Sequence, residues 1–247
     1  MEQLTDDALR PDMRRPTTVQ IREADIFTRL DERVLDRITL IAEARVFETG
    51  TVLFNQGDLN PPFCILIGGQ VSMFRTALDG TVTVVEVLQP SGHAGLATIL
   101  TQLPALTGAE TVAPSRMILI DGGGLRALVA QEPSLATALL RAEAMEFRSL
   151  VLQVCDLKLR TTAQRLGHYL LELAQHQPGG QSATLRLPFD KRLLAARLGC
   201  RQENLSRAFA TLRGIGVETR GARVVLHDIP KLRDYAVAHD EPEPAAV

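Results

Sequence analysis

Leu194-Ala-Ala-Arg-Leu-Gly-Cys-Arg-Gln-Glu-Asn-Leu-Ser-Arg-Ala-Phe-Ala-Thr-Leu-Arg213 reads as two short helices around a tight turn. Ala195, Ala196 and Leu198 close the first helix. Gly199 stands where a left-handed residue is needed to stop it, and glycine has no Cβ to oppose that conformation. The second helix is expected from about Arg201 to Ile215, with Leu205, Phe209 and Leu212 as its buried stripe. Its other face carries Gln202, Glu203, Ser206, Arg207 and Arg213. A helix that is apolar behind and presents Gln, Glu, Ser and Arg from its N-terminal end suits the recognition position of a helix-turn-helix.

The charge distribution agrees. The 247-residue chain carries a net charge of −2, yet the span Lys158 to Arg223 holds 12 Lys or Arg against 4 acids, a balance of +8 that leaves the rest near −10. A basic C-terminal module on an acidic body points to nucleic acid as partner of the former, although charge alone is met equally well by a solvated face. Length and a hydrophobic content of 45% allow one or two domains, each with its own core. Cys64, Cys155 and Cys200 are far apart and form no CxxC pair or metal-ligand spacing. An apolar run of roughly 18 residues and a signal peptide are both lacking, so a cytoplasmic protein with reduced thiols is expected. Nothing suggests an enzyme: there is no Gly-rich phosphate loop, zinc motif or nucleophile elbow. Asp121-Gly122-Gly123-Gly124 lacks a following Lys-Ser/Thr and reads as a flexible turn.

Along the chain, the polar stretch up to Arg22 is expected to be a flexible leader. Ile21 to Leu40 has helical spacing, with Asp31 as a cap between two short helices. From Ala42 to Asp121 the period becomes two. Runs such as Phe63-Cys-Ile-Leu-Ile67, Val71-Ser-Met-Phe-Arg75 and Val82 to Leu88 alternate with Gly, Asp-Gly and Pro-Ser-Gly turns, which predicts an antiparallel barrel or jelly roll. Gly95 to Leu106 interrupts it as a short helix and loop. A short helix over Leu125 to Gln131 precedes a long one from Ser134 to about Asp156. The long helix has two apolar stripes, Ala138-Ala142-Met145-Ser149-Leu152 and Leu140-Ala144-Phe147-Val151-Val154. One can cover the barrel. The other needs a partner, either a second subunit or a second domain of the same chain. Thr161 to His176 is amphipathic, Thr184 to Pro188 is a short strand, and Asp190 can cap a helix over Lys191 to Leu198. Val217 to His227 is a basic hairpin turning at Arg220-Gly221-Ala222, the place of a wing. A helix over Ile229 to Ala238 and an acidic tail follow.

The succession of jelly roll, long helix and winged helix-turn-helix resembles the CRP/FNR family of bacterial transcription regulators over nearly all the chain after Ile21. Its most specific part is Gly199-Cys-Arg-Gln-Glu-Asn-Leu-Ser-Arg207, where Glu203, Ser206 and Arg207 are similar to the FNR branch, which reads a TTGAT-type half-site. The resemblance implies an α+β chain divided into a leader (1–20), a sensory, cyclic-nucleotide-binding-like β-roll (21–132), a dimerisation helix (133–158), a winged helix-turn-helix domain (159–238) and a disordered tail (239–247). It also implies a homodimer on a TTGAT-N4-ATCAA-type site in double-stranded DNA, and contact with RNA polymerase. Gln202, Glu203, Ser206 and Arg207 are the candidate base readers, and Arg192, Arg201, Arg213, Arg220 and Arg223 the candidate phosphate contacts. An internal i,i+4 ion pair is the other role open to Glu203 and Arg207.

The effector is less legible. The span from Thr76 to Ser115 has no Lys or Arg, and Gly95-Leu96-Ala97 and Thr107-Gly108 stand where CRP grips cyclic AMP, so cyclic AMP is not expected. Three scattered thiols exclude a four-cysteine iron–sulfur cluster within one chain. His168-Tyr-Leu-Leu-Glu-Leu-Ala-Gln-His176-Gln-Pro is similar to a segment of the DNR-type nitric oxide regulators, which use haem. Its candidate ligands are His93, His168 and His176, although for any one of them an ordinary surface or capping role is the more common reading. The implied function is a regulator answering a redox or gas signal such as nitric oxide or oxygen. The alternatives are a CRP-like regulator with no small-molecule effector, or one that binds a cyclic nucleotide. Cys64 is expected in packing, Cys155 as a possible redox thiol, and Cys200 where its modification would block DNA binding.

Overall fold

The computed structural model describes residues 15–175, 180–187 and 191–237. Its elements are α1 (Thr18–Arg22), a 3-10 turn (Asp25–Phe27), α2 (Glu32–Thr39), β1 (Ala42–Phe47), β2 (Val52–Phe54), β3 (Phe63–Gly68), β4 (Val71–Thr76), β5 (Val82–Leu88) and β6 (His93–Ala94). Then come α3 (Leu96–Thr101), β7 (Gly108–Thr111), β8 (Ser115–Ile120), α4 (Gly122–Val129), α5 (Pro133–Leu159), α6 (Thr162–Gln175), β9 (Ala183–Arg186), α7 (Lys191–Arg197), α8 (Gln202–Arg213), β10 (Val217–Arg220), β11 (Arg223–Leu226) and α9 (Ile229–Val237). The described chain falls into two compact units, divided inside α5 between Phe147 and Arg148.

The first unit is the expected roll. Two antiparallel four-stranded sheets, ordered β1-β8-β3-β6 and β2-β7-β4-β5, face each other. β3 is apolar throughout because both its faces are covered. Cys64 and Leu66 point between the sheets, while Phe63 and Ile65 point to the helices. Cys64 is a packing residue, and its burial pushes the thiol pKa up to about 12. The helical layer contributes Ile21, Phe27, Leu35, Ile38, Leu96, Ile99 and Leu125, with Phe27 meeting Phe63 edge to face at 6.4 Å.

Several sequence expectations change here. Part of the expected leader is helical, because Thr17 and Gln20 form a reciprocal capping box at the head of α1. Asp31 stands at the N-cap of α2 without donating or accepting a side-chain capping bond. Asp121-Gly122-Gly123-Gly124 is no flexible turn. The Asp121 carboxylate accepts the Gly124 N–H at 2.6 Å and starts α4 three residues before the expected helix. The barrel-facing stripe of α5 is also shifted. Leu135 and Leu139 are the buried residues and Ala138 and Ala142 are half-buried, whereas Met145, Ser149 and Leu152 are exposed. Only the first turns of α5 lie on the apolar core. Further along, the same inward spacing brings Glu143 and Glu146.

The second unit has α6 at its centre, packed against α8 and α9. A Cβ added at Gly167 would stand 3.3 Å from both Ala236 and Leu232, so the small residue sets the approach of α6 to α9. β9 joins the hairpin as its third strand, in the order β10-β11-β9. The proposed cap Asp190 and the tail from Ala238 lie outside the described residues.

Candidate nucleic-acid interface and effector region

The turn between α7 and α8 is closed by two backbone bonds. The Cys200 N–H donates to the Ala195 carbonyl and the Gly199 N–H to the Ala196 carbonyl, both at 2.9 Å. This is a Schellman closure, and it places Gly199 in the left-handed region at φ 60°. A Cβ on Gly199 would lie 2.5 Å from Leu157 Cδ2 of α5. The conformation is what calls for glycine here, since the Leu157 methyl can swing aside. Arg165 fixes the same corner from α6. Its Nε donates to the Leu198 carbonyl at 3.0 Å and its Nη1 to the Arg160 carbonyl at 2.7 Å, so one guanidinium holds the C-terminal ends of two helices.

α8 then runs from Gln202 to Arg213, two residues shorter than expected at its C-terminal end, where Gly214 and Gly216 follow. Leu205, Ala208, Phe209 and Leu212 are buried beneath it. Gln202, Glu203, Ser206 and Arg207 all lie exposed on the opposite face. Among the described residues, Glu203 and Arg207 have no ion-pair or hydrogen-bond partner for their side chains, and no internal i,i+4 pair forms. Arg192, Arg201 and Arg213 are exposed around them.

The wing adds a feature that linear reading missed. Arg220 pairs in register with Arg223, and Arg223 with Arg186 of β9. Directly opposed residues of an antiparallel sheet share a face, so three exposed guanidinium groups form one row across three strands. Arg186 was invisible without the pairing register. The three arginines are not equivalent. Arg220 donates from Nε to Glu218 Oε1 at 2.9 Å, and this bond, with a second from His227, holds the Glu218 carboxyl below its usual range. Other basic residues of the module are structural: Arg160 is buried and pairs with Asp156 at 3.3 Å, and Arg197 lies 5.4 Å over the Tyr169 ring.

In the roll, His93 sits on the short edge strand β6, opposite Ile65. Its ring packs against Phe63 with centroids 5.5 Å apart, and its Nδ1 lies 3.9 Å from Glu146. A haem pocket is mainly apolar, with an unencumbered nitrogen or sulfur ligand for the iron. The carboxylates of Glu143 and Glu146 beside His93 do not fit one. His168 is half-exposed on α6 with its Nδ1 3.7 Å from Glu172, and His176 lies outside the described residues. Arg75, one residue before the cation-free stretch, donates to the Leu106 carbonyl at 3.3 Å, next to Thr107-Gly108. A Cβ on Gly108 would meet the Phe74 ring at 2.5 Å, so an aromatic ring fills that position. Cys155 is exposed on α5. Cys200 is half-buried, and burial raises its thiol pKa against an opposing effect of Arg165.

Residues 44–132 match the cyclic nucleotide-binding domain, and residues 164–235 the Crp-like helix-turn-helix domain. The CRP-like cAMP-activated global transcriptional regulator of Mycobacterium tuberculosis is 26% identical over 215 residues, which is 86% of this chain and 96% of that protein. Among solved structures, a candidate cyclic nucleotide binding protein from Ruegeria pomeroyi is 32% identical with a TM-score of 0.61, covering 89% of this chain and 96% of that one. FixK2 from Bradyrhizobium japonicum shares the fold at 19% identity and a TM-score of 0.64, covering 79% of this chain and 97% of that one. No helix among the described residues is long and apolar enough to cross a membrane.

Proposed function

The chain belongs to the CRP/FNR family of DNA-binding transcription regulators, and we propose that within it this protein is a cytoplasmic, homodimeric, FNR/DNR-like regulator of TTGAT-N4-ATCAA-type sites. The observation that carries the reading is the exposed, unpaired placement of Glu203, Ser206 and Arg207 on the N-terminal half of α8. Arg207 has the fork to donate to guanine O6 and N7, Glu203 accepts from cytosine N4, and Ser206 reaches a thymine. Arg192, Arg201, Arg213, Arg223 and Arg186 hold phosphates, which set affinity and register but not sequence. Two such modules related by a two-fold axis read half-sites about one helical turn apart. Contact with RNA polymerase is part of the same proposal, by likeness to the family.

A gel shift of a TTGAT inverted repeat against a scrambled one tests this. Glu203→Ala and Arg207→Ala should each lose roughly 1–3 kcal/mol of discrimination, about 5- to 150-fold in relative affinity. Unchanged selectivity in both variants overturns the assignment.

For the signal, the proposed effector is redox or gas, such as nitric oxide or oxygen, by the likeness of α8 to the FNR branch, and the Phe74 ring against Gly108 counts against a nucleotide at that position. A cyclic nucleotide is the second reading. It is favoured by Arg75 beside the Leu106 carbonyl and by the effector named for the mycobacterial relative. DNA affinity measured with cyclic AMP, and without oxygen before and after nitric oxide, separates the two.

A further inference from the structure

We propose that His93, Glu143 and Glu146 form a binding site for one divalent first-row transition-metal ion, joining β6 to α5 within the roll. Two features of the chain lead here. The inward stripe of α5 opens with Leu135 and Leu139 and then, at the same helical spacing, presents Glu143 and Glu146. Both acids are half-buried, the Glu146 side chain 38% exposed, so each has given up part of its solvation. Among the described residues no Lys or Arg pairs with either one. What they face instead is the imidazole of His93, held in place by Phe63.

The geometry is that of a loose ligand set. One donor atom from each residue lies within 4.8 Å of the others, and His93 Nδ1 stands 3.9 Å from Glu146 Oε2. Ions of this class hold nitrogen and carboxylate ligands at roughly 2.0–2.2 Å, so two donors of one ion stand at most about 4.4 Å apart. A rotamer adjustment of the glutamates, whose side chains have three rotatable bonds, closes the set. Waters complete the coordination.

The electrostatics point the same way. Burial lowers the His93 pKa against the opposing charge of Glu143. Burial raises both glutamates, and the charge of Glu146 adds to it at Glu143, as that of Glu86 does at Glu146. A dication relieves that repulsion. One imidazole nitrogen with carboxylates favours Zn2+, Mn2+ or Fe2+ over Mg2+ or Ca2+, which take all-oxygen sites.

The test uses the full chain stripped with a chelator, without DNA, so its outcome is independent of the DNA-site reading. Thermal melts and isothermal titration are run at pH 7.5 with ZnCl2, and with MgCl2 at the same concentration. The expected result is a zinc-dependent rise in Tm saturating at one ion per chain, with no rise for magnesium. Glu143→Gln/Glu146→Gln should melt at or above the metal-free wild type, which shows that it folds, and should lose the zinc response. His93→Ala should lose it too. No zinc response in the wild type overturns the proposal. So does an equal response in the double variant, which would place the zinc elsewhere, for instance on the Cys155 or Cys200 thiols. An equal response to magnesium overturns the assignment to a transition metal.

Discussion

At the scale of single residues, two positions carry tests of different kinds. Gly199→Ala places a Cβ in the left-handed region and against Leu157. The conformational part alone costs about 1–2 kcal/mol. A urea midpoint for the full chain lowered by about that amount is the expected outcome, the Leu157 side chain moving aside. Glu143 gives a pH signature. Its folded pKa lies above the usual value of 4.5, through burial and then Glu146, with His93 opposing. Such a group favours the fold below its unfolded pKa and loses that contribution as pH rises through the folded value. Glu146 behaves likewise with Glu86 facing it, while His93, lowered from 6.5, does the reverse and disfavours the fold as pH falls. Metal-free Glu143→Gln should therefore melt above the wild type at pH 7 and level with it below about pH 4. A melt difference that does not change with pH would contradict the assignment. Residues on the recognition face were legible in the sequence because Leu205, Phe209 and Leu212 define which side is buried. Glu143 and Glu146 were not, since acids at helical spacing look like a solvated face until the strand bearing His93 is placed beside them.

At the scale of elements, the hairpin and its third strand make the clearest prediction. Arg186→Ala should weaken binding about equally on specific and scrambled DNA, and lower the salt dependence of log K by roughly one phosphate contact. Arg220→Ala should lower it less, because Glu218 already accepts from that guanidinium. Titrating KCl in a fluorescence anisotropy assay distinguishes the two, and equal slopes would remove the distinction. Strands were readable from their Gly and Asp-Gly turns, and α8 from its period. The start of α4 was not, because three glycines have poor helix propensity and only the Asp121 cap and the close packing of Gly124 on Ile41 override it. The barrel stripe of α5 was misread for a related reason. Alanines at regular spacing imitate a packed face, while the buried contacts are made by Leu135 and Leu139 one turn earlier.

At the scale of the whole molecule, the order of domains was legible because the strand-rich run from Ala42 to Asp121 ends before one long helix, and the helix-turn-helix and its hairpin follow that helix. The outward stripe of α5 remains open in a single chain. Leu140 is 71% exposed and Phe147 67%, with Val151 and Val154 continuing the row. A second copy of the chain is the occupant our reading requires. Phe147→Glu with Val151→Glu should sediment as a monomer and bind the inverted repeat far more weakly than the parent. A double variant that still sediments as a dimer would place the contact elsewhere. The Arg165 clamp has a consequence for how this sequence can drift. Lysine has the charge but not the fork to reach the Leu198 and Arg160 carbonyls together. In a library of all substitutions, Arg165 should be depleted whenever cells are sorted for accumulated protein. Arg207 should be depleted only when they are sorted for which promoter is occupied. The module can thus diverge in what it reads while the corner that presents the reader stays fixed.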